Sequence, residues 1–202
     1  MHDLLAGVPS ERLDLDAYQE DFATYFWNCG EAGFWKLERQ QHFREPGVAS
    51  WEAFSRGEWP TALTLIAEQE DHFERYFREI KDHGFALHRV RVVEEPLAPY
   101  LQWELHLLRL KEKHGEDTRV VGPDDVRAFE SDEVLPEIAI LGTSVMYEIV
   151  YDERGVLAGG RRFTDAAKIA ACKKVIQDLH RSGERLHSFF ERRVSPLPPP
   201  EA

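Results

Sequence analysis

Apolar residues return every three or four positions in some stretches of this chain and every second position in others, and the two periods divide it into helices and strands. Asp14 or Asp16 can cap a first helix that ends at Cys29-Gly30. GFWKLER, residues 33–39, reads as a strand, and Ser50 can cap the short helix WEAFSR. Ile66, Phe73, Tyr76, Phe77 and Ile80 fall at helical spacing and predict one long helix from Thr61 to Gly84. FALHRVRVVEE, residues 85–95, is the best-marked strand, being rich in β-branched residues. Pro96 and Pro99 open a helix that runs to about Lys113. DTRVV, residues 117–121, predicts a short strand, and Pro123 opens a helical turn. SVMYEIVYDERGVLAGGRRF, residues 144–163, predicts a hairpin that turns at DERG. From Thr164 or Asp165 a last helix carries the stripe Ile169, Cys172, Ile176, Leu179, Leu186 and Phe190, with Gly183 in the same row.

Helices and strands interleave, yet the best-marked strand pair is antiparallel. The expected fold is therefore α+β: a mixed or antiparallel sheet with a C-terminal hairpin, packed against several helices and a long C-terminal helix. Residues 1–14 read as a flexible lead, 15–193 as one domain, and the proline-rich 194–202 as a disordered tail.

Charge narrows the partners. The 202 residues carry a net charge of −12, a field that repels phosphates and argues against direct nucleic-acid binding. It suits a basic protein surface. No stretch reaches the roughly 20 apolar residues of a membrane span, so no membrane partner is expected. The start, MHDLLAGVPSERLDLD, turns acidic and lacks a long apolar run, which predicts a cytoplasmic protein. Phosphate-loop, dinucleotide-binding and nucleophile-elbow motifs are absent. Cys29 and Cys172 form no paired motif, and His72 with His83, or His106 with His114, lack the helical clamp spacing. No metal site and no cofactor are expected.

One constellation stands out. On a wheel at about 100° per residue, Glu104 falls in the middle of the apolar face of the helix from residue 97 to 113, among Tyr100, Leu101, Leu107 and Leu108. A carboxylate there needs a partner. In the preceding strand, alternation puts Arg89 and Arg91 on the face of Phe85 and Leu87. An Arg89 or Arg91 pair with Glu104 is expected, with the Tyr100 hydroxyl one turn away. The arrangement supports either a buried salt bridge that docks helix on strand, or a pocket in which arginine holds an anion and Glu104 orients it or acts as acid or base. Trp35 and Trp103 are candidate pocket walls, with aromatic core as the commoner role for such residues.

The pattern of GFWKLER, RVRVVEEPLAPYLQWELHLL, GEDTRVV and the YDERG hairpin resembles an uncharacterised actinobacterial family, a domain of unknown function, over roughly residues 20–163. Its strongest part carries Arg89, Arg91, Glu95, Pro96, Tyr100 and Glu104. Members are often encoded beside helix-turn-helix regulators of the XRE type. The resemblance therefore implies a binding or regulatory module partnered with such a regulator. The alternative is a small enzyme of specialised metabolism acting on an anionic molecule near Arg89, Arg91 and Glu104. A homodimer through the 169–190 helix is a further expectation.

Overall fold

A computed structural model describes residues 1–130 and 134–200. The strands are β1 (Glu11–Leu13), β2 (Phe34–Glu38), β3 (Leu87–Val92), β4 (Asp117–Val121), β5 (Ile138–Leu141), β6 (Val145–Tyr151), β7 (Leu157–Phe163) and β8 (Glu184–Arg185). They form one mixed sheet in the order β1-β7-β6-β5-β2-β3-β4-β8. The three strands β2, β3 and β4 run parallel, and the other pairings are antiparallel. The helices are α1 (His2–Leu5), α2 (Leu15–Phe26), α3 (Ala49–Ser55), α4 (Trp59–Ala67), α5 (Glu70–Asp82), α6 (Pro99–His114), α7 (Pro123–Val126), α8 (Ala166–Ser182) and α9 (Leu186–Phe189). No described helix is long and apolar enough to cross a membrane.

The fold is the α+β arrangement that the sequence pattern predicts, hairpin and C-terminal helix included. Helix α8 starts where the Asp165 carboxylate accepts from the Lys168 amide at 3.0 Å. Its stripe of Ile169, Cys172, Ile176 and Leu179 is buried on Leu37, Val90, Val92 and Ile140 of the sheet. Each such side chain contributes about 2 kcal/mol on burial. The opposite face of the sheet is aromatic. There α2 and α5 bring Phe26, Phe73 and Phe77 onto Phe34, Leu87 and Tyr147. Beside them, α6 lays Leu101, Leu105 and Leu108 against Val120.

Four expectations need correction. The long helix from Thr61 is two helices, because Ala62 and Ile66 pack toward Trp103 of α6 while Phe73, Phe77 and Ile80 pack onto the sheet. One straight helix cannot point its stripe both ways. The last helix stops at Ser182 rather than reaching Phe190. Gly183 is extended there, and a Cβ on it would stand 2.9 Å from the Arg119 Cβ, so the chain hugs β4 and adds β8 to the sheet. The stripe from Ile169 to Phe190 is buried within the chain itself, so it is not a free face for a second copy. Finally, the lead is not a trailing segment: Met1 and Leu5 lie in the α8 core, and β1 pairs with β7. At the other end, the Pro198 carbonyl accepts from Gln102 Nε2 at 2.6 Å. Residues 201 and 202 of the expected tail lie outside the described residues.

Candidate functional site

Parallel pairing of β2 with β3 sets Lys36 beside Arg89 and Glu38 beside Arg91, all on the face that α5 and α6 cover. Glu38, Arg89 and Arg91 are thus buried on a surface that the helices cover, with Lys36 half-buried beside them. Each needs a partner, because an unpaired buried charge costs several kcal/mol.

Arg91 is fully buried. Its Nε donates to Glu104 Oε2 at 2.7 Å, and its Nη1 donates to the carbonyls of Val92 at 3.1 Å and Glu38 at 3.3 Å. The Tyr100 hydroxyl lies between Glu45 Oε1 at 2.9 Å and Glu104 Oε1 at 3.3 Å. The Phe43 ring stands 5.8 Å from the guanidinium. Burial raises the Glu104 carboxyl, although Arg91 opposes that shift. The expected pair therefore exists, with Tyr100 joined to it, but Glu104 is only 5% exposed and is enclosed by its partners.

Arg89 turns the other way along the strand. It donates to both Glu38 and Glu116, and Lys36 lies 2.5 Å from Glu38. Burial alone would raise both carboxyls. Instead Arg89, helped by Lys36 and Arg91, holds Glu38 well below the usual range, and Arg89 with Lys111 lowers Glu116.

Glu137, just before β5, is the odd member. Its Oε1 accepts from the amides of Arg39 at 2.8 Å and Gln40 at 2.7 Å, while its Oε2 is buried without a hydrogen-bond partner among the described residues. Burial, with Glu38 adding to it, pushes this carboxyl up to about 7. A raised carboxyl favours the protonated fold. Its contribution is therefore complete below the unfolded value of about 4.5 and is lost as pH rises through about 7. Glu137→Gln keeps the acceptor and removes the ionisation. It should stabilise the protein by about 2 kcal/mol near pH 8 and flatten the decline below that. Urea denaturation across this pH range checks the prediction; a variant with the wild-type slope rejects it.

Arg89 also borders a cavity of about 280 Å³ between the sheet and helices α2, α5 and α6. Phe22, Phe26, Phe34, Phe73, Tyr76 and Phe77 wall it, with exposed His72 at the rim. Lys36, Arg89, Lys111 and Glu116 make its polar end. The Lys111 amine stands 5.6 Å from the Phe73 ring centre, and among the described residues no side chain or carbonyl accepts from it. Burial lowers the affinity of this amine for its proton, against the pull of Glu116. Three cations, Lys36, Arg89 and Lys111, thus face two carboxylates, Glu38 and Glu116.

The proposed walls lie elsewhere. Trp35 is on the opposite face of the sheet, stacked on His88 at 4.1 Å, because alternation in β2 separates it from Lys36. Trp103 is on the far side of α6, stacked on Phe54 at 6.1 Å, with Tyr100 as its link to Glu104. The sequence reading missed Lys111, Lys36, Glu38 and Glu116. A signal existed for Lys111: it is seven residues after Glu104, which places it on the same apolar face of α6. Lys36 and Glu38 alternate with Trp35 and Leu37 in GFWKLER, where the same logic applies.

A family model described as a domain of unknown function, DUF6879, matches residues 20–191. The match runs past residue 163 and takes in α8 and α9 as well as the charge network and the aromatic cavity. No curated protein and no solved structure matches the chain.

Proposed function

We propose that this chain, which belongs to the family described as a domain of unknown function, DUF6879, is a binding module for a small molecule with a flat apolar body and one anionic group. The observation that carries this reading is the Lys111 amine, half-buried, set over an aromatic ring and lacking an acceptor among the described residues. An anion about 4 Å from an ammonium gains on the order of 4 kcal/mol at an effective dielectric near 20. The aromatic walls supply the apolar contact and the specificity for a flat body. Glu104, enclosed between Arg91 and Tyr100, serves in this reading as a docking strut rather than as an acid or base. The regulatory reading fits the same pocket. Its occupancy would be the signal passed to a partner, and a helix-turn-helix regulator with a basic surface is the partner class that the acidic chain suits.

Benzoate and indole-3-carboxylate, with benzamide as the neutral control, test the pocket by isothermal titration calorimetry. Both acids should bind the wild type and benzamide should not. Lys111→Met should weaken the acids at least tenfold, about 1.4 kcal/mol, while leaving the melting temperature unchanged or higher. Lys111→Arg should retain part of the affinity. Binding of the acids that is unaltered in Lys111→Met, or no binding to the wild type, overturns the proposal.

A further inference from the structure

On the face of the sheet away from the cavity, three neighbouring strands place Trp35, His88 and Asp117 in one cross-strand row. Helix α8 sets His180 over that row. We infer that His88, Asp117 and His180 form a binding site for a divalent first-row transition-metal ion, with zinc as the representative. One ligand atom from each lies within 4.8 Å of the others. His88 Nδ1 is 3.8 Å from Asp117 Oδ2, and His180 Nε2 is 3.5 Å from the same oxygen. Zinc bound at about 2.0–2.2 Å to nitrogen and oxygen holds its ligands roughly 3.4 Å apart. Small side-chain rotations therefore complete the site without moving the backbone.

Two features outside the distances point the same way. His88 Nδ1 is buried and has no hydrogen-bond partner among the described residues, so an atom that would otherwise be satisfied faces the cluster bare. The ligands are also held from behind. Arg119 Nε donates to Asp117 Oδ1 at 3.1 Å, which leaves Oδ2 turned to the two imidazoles. The Trp35 indole stacks on His88 at 4.1 Å and meets His180 edge-on at 5.4 Å, and its own Nε1 is anchored on the Ala32 carbonyl at 3.0 Å. Such supporting contacts orient metal ligands and tune their affinity. His180 Nε2 is 3.0 Å from the Asp117 carbonyl. Metal binding takes that nitrogen in place of the carbonyl, with the ring proton on Nδ1. The Asp117 side chain is 45% exposed, so the fourth coordination position opens to water or to a ligand from solution, as in sites that do more than brace a fold. Histidine spacing could not show this site: its members are 29 and 63 residues apart along the chain, on two strands and a helix.

Calorimetric titration of the chelator-treated full chain with zinc tests the site, with cobalt(II) absorption as a second readout. The wild type should bind one zinc per chain and give visible cobalt d–d bands. His88→Gln, Asp117→Asn and His180→Gln should each weaken zinc at least tenfold and remove those bands, while His72→Gln and His106→Gln leave both unchanged. Zinc should also raise the melting temperature of the wild type but not of Asp117→Asn, whose exposed position keeps the fold intact. No stoichiometric zinc on the wild type, or wild-type affinity in both His88→Gln and Asp117→Asn, overturns the inference. Lys111→Met should leave zinc binding untouched, which separates this site from the pocket on the other face.

Discussion

Glu104→Ala should lower the unfolding free energy by about 3–5 kcal/mol, the cost of leaving a buried charge without its partner. The size follows from what remains. Arg91 is fully buried and cannot shed its proton at any accessible pH, so the charge stays inside. Among the described residues only the Glu38 and Val92 carbonyls still accept from it, and Tyr100 loses one of its two oxygen neighbours. A surface carboxylate removed elsewhere would cost within about 0.5 kcal/mol. Chemical denaturation at neutral pH separates the two. The double variant Arg91→Met with Glu104→Met should recover most of the loss, because well-packed apolar replacements of a buried pair are often neutral. A single variant no worse than a surface change would falsify the view that this pair docks α6 on β3.

The second large effect belongs to Arg89→Met. Arg89 is the shared donor of Glu38 and Glu116, both nearly inaccessible to water. Its removal leaves Lys36 on Glu38 and, among the described residues, no buried cation bonded to Glu116, at a cost of about 4 kcal/mol at neutral pH. The sign with pH is definite. Both carboxyls are depressed in the folded protein, so the stability they lend is present above the unfolded value of about 4.5 and is lost as pH falls through their lower folded values. In the variant the strongest opposing charge is gone, and that depression shrinks. The gap between variant and wild type should be widest at neutral pH and narrow steadily toward about pH 3. Parallel denaturation series would show it; a gap that is constant with pH would mean that the loss is one of packing rather than charge.

The centre of the fold was open to reading from residues because each part carried its own local signal. β3 shows strict alternation, α6 has proline at its start and a misplaced carboxylate on its apolar face, and their short connection brings Arg91 to Glu104. β5 carried no such signal. Every residue from Ile138 to Leu141 is buried on both faces, so the alternation that marks a strand vanishes. The break at Gly183 was hidden for the opposite reason. The stripe from Ile169 to Phe190 keeps its spacing across the break, and only contact with Arg119 on a strand far along the chain reveals why the helix ends. The charge network shows the same limit. Glu38, Arg89 and Glu116 come from three strands whose order is a property of the whole sheet, and no local pattern announces which strands become neighbours. Trp35, a candidate pocket wall, lies across the sheet from the cavity because one residue along a strand is one face of the sheet.

The two outermost strands have a consequence for how this protein behaves in a crowded solution. β1 is three residues long and β8 two, and four of these five residues are charged: Glu11, Arg12, Glu184 and Arg185. Beyond them the sheet offers neither the length nor the neutral flatness that a foreign strand needs to add on and start a fibril. Deleting either tip would expose the rim of β7 or β4, and the protein would then be expected to clump through its edges while its pocket stayed whole.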